Sequence, residues 1–93
     1  MKKLHIEDLK GNHVHFIGIG GISMSGLADI LIHKGYTVSG SDIKQTHLTD
    51  GLANKGARIY IGHDASNIGN ADWVVYTIAI SEDNPELMAA RER

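Results

Sequence analysis

The residues of this chain best suited to chemistry lie in the run His15-Phe16-Ile17-Gly18-Ile19-Gly20-Gly21-Ile22-Ser23-Met24-Ser25-Gly26, where an apolar strand pattern passes through three glycines into a helical one. Gly18, Gly20 and Gly21 free the backbone to turn tightly and to approach a ligand. A helix that begins at such a turn aims its unpaired amides and the positive end of its dipole at an anion. The chemistry this implies is the binding of a phosphate, with a nucleotide diphosphate as the natural candidate. The third glycine of a G-x-G-x-x-G fingerprint falls at Ser23, while Gly26 keeps a smooth helix face for packing on the strand. Two alternatives stay open: an NAD(P)-binding module of a dehydrogenase or regulatory protein, and a structural turn that joins a strand to a helix.

Three further stretches are expected to converge on this loop, because each follows the carboxyl end of a strand. Ser41-Asp42 ends the second strand pattern, and Asp42 lies close to the offset of about 20 residues at which an acidic group meets a ribose hydroxyl. Gly62-His63 follows the third strand, and Thr77-Ile78-Ala79-Ile80 follows the fourth. Together with the loop from Gly18 to Met24 these stretches line the expected crevice, between strands 1 and 4. Asp42 as a turn cap, and Met24 as core packing, are the plainer readings of those two residues.

No catalytic or metal-ligating constellation emerges. The six histidines show no H-x-x-x-H spacing on a helix, and there is no cysteine to join them. His13 and His15 alternate along the first strand and should share a face, as buried, neutral, hydrogen-bonded rings. Walker-type G-x-x-x-x-G-K-[ST] and G-x-S-x-G sequences are both absent.

The elements that must position these residues follow from periodicity. Residues 1–12 read as polar and irregular, a candidate flexible segment, with Leu4, Ile6 and Leu9 able to lie on a neighbouring surface. Strand patterns cover His13 to Ile17, Tyr36 to Gly40, Ala57 to Ile61 and Trp73 to Thr77. Between them, Met24, Leu27, Ala28 and Leu31 recur at helical spacing up to a stop at Gly35. A shorter helix, capped by Thr46 or Thr49, runs to about Lys55 before Gly56. One helical turn is expected through Ile68, and a last helix is announced by Asn84-Pro85-Glu86, with proline at its first position and an early glutamate complementing its dipole. Repeated βα units imply a single small α/β domain: a three-layer, Rossmann-like parallel sheet with right-handed crossovers and strand order 3-2-1-4. The last helix has no following strand, so the chain reads as a fragment of a longer protein.

Composition bounds the rest. Ninety-three residues, 42% of them hydrophobic, suffice for one small core. Nine basic and eleven acidic residues leave a net charge of −2 and no basic footprint for nucleic acid. No apolar run is long enough to span a membrane and no signal-peptide core follows Met1-Lys2-Lys3, so a cytoplasmic location is expected. The lack of cysteine fits a reducing compartment.

Several motifs in order, namely His15 to Gly21, Met24 to Ala28, Gly35-Tyr36, Ser39 to Asp42, Ala79 to Ser81 and Asp83 to Glu86, carry a resemblance over nearly the whole chain. The chain resembles the amino-terminal domain of the muramyl ligase family. In that family one domain binds a UDP-sugar, a central domain binds ATP with magnesium, and a third helps bind the amino acid. The resemblance implies UDP-N-acetylmuramate as substrate and the central and C-terminal domains of the same protein as partners. The implied reaction, in peptidoglycan synthesis, is activation of the lactoyl carboxylate as an acyl phosphate, then attack by the amine of L-alanine. On this resemblance the amides of Gly20, Gly21, Ile22 and Ser23 hold the diphosphate, Ser41 and Asp42 meet the uridine ribose, His63 contacts the uracil, and Ala79, Ile80 and Ser81 lie near the sugar. Family members often carry glycine where Ser23 stands and a Ser-Ser pair where Thr77-Ile78 stands. ATP and Mg2+ belong to the intact enzyme, and this domain alone is expected to need no cofactor and to do no catalysis.

Overall fold

Strand β1 (His13–Ile17) has large apolar residues on both faces, and a strand of that kind is stable only inside a sheet covered on both sides. In the computed structural model, which describes residues 12–93, Val14, His15, Phe16 and Ile17 of β1 are all essentially inaccessible. β1 pairs in parallel with β2 (Thr37–Asp42) on one side and with β4 (Trp73–Val75) on the other. β3 (Arg58–Ile61) adds to β2, again in parallel, so the strand order is β3-β2-β1-β4, as the succession of βα units predicts. Residues 1–11 lie outside the described residues, and with them almost all of the segment read as irregular.

Alternation along β1 and β2 sorts the two faces chemically. Val14, Phe16 and Val38 join Met24, Ala28, Leu31 and Leu52 in an apolar core, under α1 (Ile22–His33) and α2 (His47–Asn54). The other face carries His15, Ser39 and Ser41, all buried, and is covered by α3 (Pro85–Arg91) and a 3-10 turn at Ala65–Ile68. Ile68 and Leu87 are buried there.

The local chemistry of the helix ends follows the expectations closely. Thr46 and Thr49 act together as a capping box on α2, rather than as alternatives. Asn84 caps α3 by accepting from the amides of Glu86 and Leu87, ahead of Pro85. α1 gives way to Gly35 and α2 to Gly56, both at positive φ.

Four strand ends differ from expectation; β3 begins at Arg58 and not at Ala57. β2 starts at Thr37 and continues through Ser41 and Asp42, because β3 pairs alongside Ser39 to Asp42 and extends the ladder. β4 stops at Val75 instead of Thr77: its partner β1 pairs only from Val14 to Phe16, and a turn closed by Ile80 N–H donating to Thr77 O follows.

Gly40 is where sheet and loop come closest. A Cβ there would lie 2.6 Å from Ile19 Cβ and 2.4 Å from its Cδ1, in a strand buried on both sides. Gly40→Ala is therefore expected to cost about 1–3 kcal/mol through overpacking, read as a lower urea midpoint. An unchanged midpoint would show that Ile19 can move aside freely.

Candidate functional site

The turn after β1 is tied to the end of β2 by backbone and side chain. Gly18, at φ +84°, lets the amides of Gly18 and Ile19 both donate to Ser41 O, at 2.8 and 2.9 Å. Gly20 N–H donates to Asp42 Oδ2 at 2.9 Å, and Asp42 Oδ1 accepts from Ile43 N–H at 2.7 Å. Gly21 N–H donates to Gly18 O. The first intrahelical bond runs from Ser25 N–H to Gly21 O, and α1 has no side-chain cap. The first-turn amides of Ile22, Ser23 and Met24 are therefore the donors left over at the start of a twelve-residue helix, where the dipole also favours an anion.

The structure brings most of the expected residues together and gives several of them different work. Asp42 holds the glycine loop and turns the strand end. The Gly20 amide is taken by Asp42 and the Gly21 amide by Gly18 O, so of the four expected donors Ile22 and Ser23 remain, and Met24 joins them. The Met24 side chain packs in the core, the plainer of its two readings. Ile80 packs at Gly18, where a Cβ would lie 3.4 Å from Ile80 Cδ1. Thr77, Ala79 and Ser81 bond within their own segment: Ala79 N–H to Thr77 Oγ1, and Ser81 Oγ to the Asp83 carboxylate. Ser41 has a fully buried side chain, and its hydroxyl donates to Glu86 Oε1 at 2.7 Å, beneath the sheet edge.

That glutamate is the residue sequence reasoning missed. Glu86 reads as a first-turn charge that complements a helix dipole, yet it is completely buried and gathers five partners. Its Oε1 meets His15 Nε2 at 2.5 Å as well as Ser41 Oγ. Its Oε2 meets His63 Nδ1 at 3.1 Å, Asp64 N–H at 3.2 Å and Asn67 Nδ2 at 3.1 Å. Burial pushes the Glu86 carboxyl up, but the hydrogen bonds from His15, Ser41 and Asn67 outweigh it and hold the group at about 2. From His15 the network continues through Ser39 Oγ to His13, at 2.8 and 2.7 Å. The shared face of the two histidines was thus readable from their spacing. The carboxylate that binds one of them, 71 positions away, had no local signal.

His63 sits where this network reaches the surface. Gly62 N–H donates to Asp42 O at 2.7 Å, which sets His63 beside the end of β2, and its Nδ1 lies 2.9 Å from Ser41 Oγ. The side chain is 18% exposed. Along the sheet edge the order is therefore the glycine loop after β1, Asp42 at the end of β2 and His63 after β3. Among the described residues no group of three or more His, Cys, Asp or Glu is placed to hold a metal ion, and no helix is long and apolar enough to cross a membrane.

Comparison with known proteins agrees with this architecture. A family model described as "Mur ligase family, catalytic domain" matches residues 13–93. A UDP-N-acetylmuramate--L-alanine ligase of Acetivibrio thermocellus is 59% identical over 92 residues, which cover 98% of this chain and 20% of the relative. A protein of the same description from Clostridium botulinum is 56% identical over 84 residues, covering 90% of this chain and 18% of the relative. The chain thus spans about a fifth of the length of these relatives. The crystal structure of the UDP-N-acetylmuramate:L-alanyl-gamma-D-glutamyl-meso-diaminopimelate ligase from Neisseria meningitides superposes with a TM-score of 0.79 at 33% identity, over 87% of this chain and 26% of that one. On the span of the family match and the agreement of sequence and fold, this chain belongs to the Mur ligase family.

Proposed function

We propose that this chain is the amino-terminal, UDP-sugar-binding domain of a UDP-N-acetylmuramate–L-alanine ligase, a cytoplasmic enzyme of peptidoglycan synthesis. The observation that carries this reading is the uncapped start of α1, with three amides left over beside a carboxylate at the end of β2. The diphosphate sits at the amides of Ile22, Ser23 and Met24. The ribose lies by Asp42, the uracil by His63, and the sugar by the Thr77 to Ser81 segment. High identity to relatives that bear the ligase name supports the choice of substrate.

The intact enzyme would use ATP with Mg2+ to activate the lactoyl carboxylate towards the amine of L-alanine. The glycine loop here carries no lysine, and the described residues bring no carboxylate cluster together, so they do not fit ATP or Mg2+. Those groups belong to the remaining domains, and what this chain supplies is binding and orientation of the nucleotide-sugar.

Titration of the isotope-labelled chain with UDP-N-acetylmuramate, UDP and NADH, followed by backbone amide NMR, tests the reading. Shifts at Ile22, Ser23, Met24, Asp42 and His63 with the uridine ligands alone are expected. Shifts with NADH alone would replace the ligase reading with the dinucleotide one. In the same assay Asp42→Ala is expected to weaken UDP binding by about 1–3 kcal/mol with the fold retained, since ribose hydroxyls lose their acceptor and the Gly20 amide its anchor. Equal affinity would remove Asp42 from the site.

A further inference from the structure

We infer that His13, Ser39 and His15 form a proton relay through the sheet: the two rings hold one shared positive charge, taken up at the amino edge through His13 and passed across the Ser39 hydroxyl to His15, beside the buried carboxylate of Glu86. The inference invokes no ligand and is independent of the nucleotide reading above.

The charge follows from the groups at the two ends of this hydrogen-bonded chain and the single proton in its middle. At the inner end His15 Nε2 lies 2.5 Å from Glu86 Oε1, an oxygen of an ionised carboxylate that can only accept, so this nitrogen carries a proton. At the outer end His13 Nδ1 lies 3.0 Å from Asn70 Oδ1, an amide oxygen that likewise only accepts, so this nitrogen is protonated too. Ser39 Oγ stands between the remaining nitrogens, 2.7 Å from His13 Nε2 and 2.8 Å from His15 Nδ1. Its hydroxyl has one proton and no third partner among the described residues, so it donates to one ring and accepts from the other. The two rings therefore hold three protons, one more than two neutral imidazoles, and that charge offsets the negative charge of Glu86. When the pair gives up its extra proton, the Asn70 amide turns round and donates to His13 Nδ1 from Nδ2.

Two arrangements share this proton count. With the charge on His13, its Nε2–H donates to Ser39, and Ser39 donates to His15 Nδ1. Transfer of the His13 Nε2 proton to Ser39 Oγ, together with transfer of the hydroxyl proton to His15 Nδ1, leaves His13 neutral and His15 an imidazolium. The surroundings provide for both ends. His15 is fully buried, with Glu86 of α3 at its Nε2 and the Tyr60 ring of β3 at 6.4 Å. His13 opens on a polar cavity of about 550 Å3, shared with Arg58, Tyr60 and Asp72, that gives water access to the outer end. Asp72, which accepts from the His13 backbone N–H at 2.8 Å, favours the charge there, and Arg58 opposes it. Glu86 Oε1 also holds Ser41 and Oε2 holds His63, so a proton taken up at the amino edge of the sheet reaches the carboxylate that fixes side chains at the carboxyl edge.

A pH titration of the 15N-histidine-labelled chain, followed by two-bond proton–nitrogen correlation, reads all four ring nitrogens. His13 and His15 should pass through one common transition between about pH 5 and 8, in which both rings change together and the pair loses one proton in total. His15 Nε2 should stay protonated throughout. In Ser39→Ala the common transition should be lost and the two rings should titrate apart, because nothing then limits the nitrogens that faced the hydroxyl to one proton between them. Loss of two protons from the pair, one from each ring, overturns the inference, and so does a transition confined to one ring of the unmodified chain. A common transition that persists in Ser39→Ala overturns the part given to the hydroxyl. Should Ser39→Ala not fold, the proton count of the unmodified chain still decides whether the charge is shared.

Discussion

Glu86→Leu is expected to lower the unfolding free energy by about 3–5 kcal/mol, the range for removing one member of a buried, hydrogen-bonded charge network. Its carboxylate joins α3 to β1 through His15, to β2 through Ser41, and to the segment after β3 through His63, Asp64 and Asn67. Leucine fills much of the volume but strands His15 and Ser41, the two fully buried partners, and an unpaired buried polar group costs about 1–3 kcal/mol. For a domain of this size such a loss is a large share of the total stability. Urea unfolding at neutral pH measures it, and midpoints within error of one another would show that the network is energetically idle.

The same residue sets the acid limb of stability. Folding depresses the Glu86 carboxyl from 4.5 to about 2, so in acid the unfolded chain takes up its proton first. The contribution is complete above about pH 4.5 and is lost as pH falls towards 2, amounting to about 3 kcal/mol for a shift of this size. Glu86→Leu should therefore flatten the fall in stability between those values. An identical acid limb in both proteins would assign acid sensitivity to other carboxylates.

The second large effect concerns the ligand. Gly20→Val is expected to weaken UDP binding about a hundred-fold, the scale on which displacement by an ångström disables a site. A Cβ on Gly20 would lie 2.8 Å from Asp42 Oδ2 and 3.2 Å from Thr49 Cγ2, so valine drives the carboxylate off the Gly20 amide and shifts the loop that presents the start of α1. Circular dichroism should report an intact fold, because the strain falls at the sheet edge and not in the core under α1. A folded variant with normal UDP affinity would detach the glycine loop from binding.

What could be read from the residues alone was everything governed by neighbours in sequence. The apolar runs of β1 and β4, the helical spacing from Met24 to Leu31, the caps at Thr46 and Asn84, and the stops at Gly35 and Gly56 are all local preferences, and the parallel order of strands follows from repeated βα units. The glycine loop and the carboxyl-edge positions of Asp42 and His63 were legible for the same reason. Tertiary structure alone decided which donors and acceptors are left for a ligand. Period-two alternation puts His15, Ser39 and Ser41 on one face of the sheet but does not say what covers it, and the answer, Glu86, comes from the far end of the chain. That burial turns Ser41 inward, commits one nitrogen of His63 and leaves the other, while the bonds from Gly20 to Asp42 and from Gly21 to Gly18 take those two amides out of the set and leave Ile22, Ser23 and Met24. Hydrogen-bond capacity is finite, and only the packed molecule shows where it has been spent.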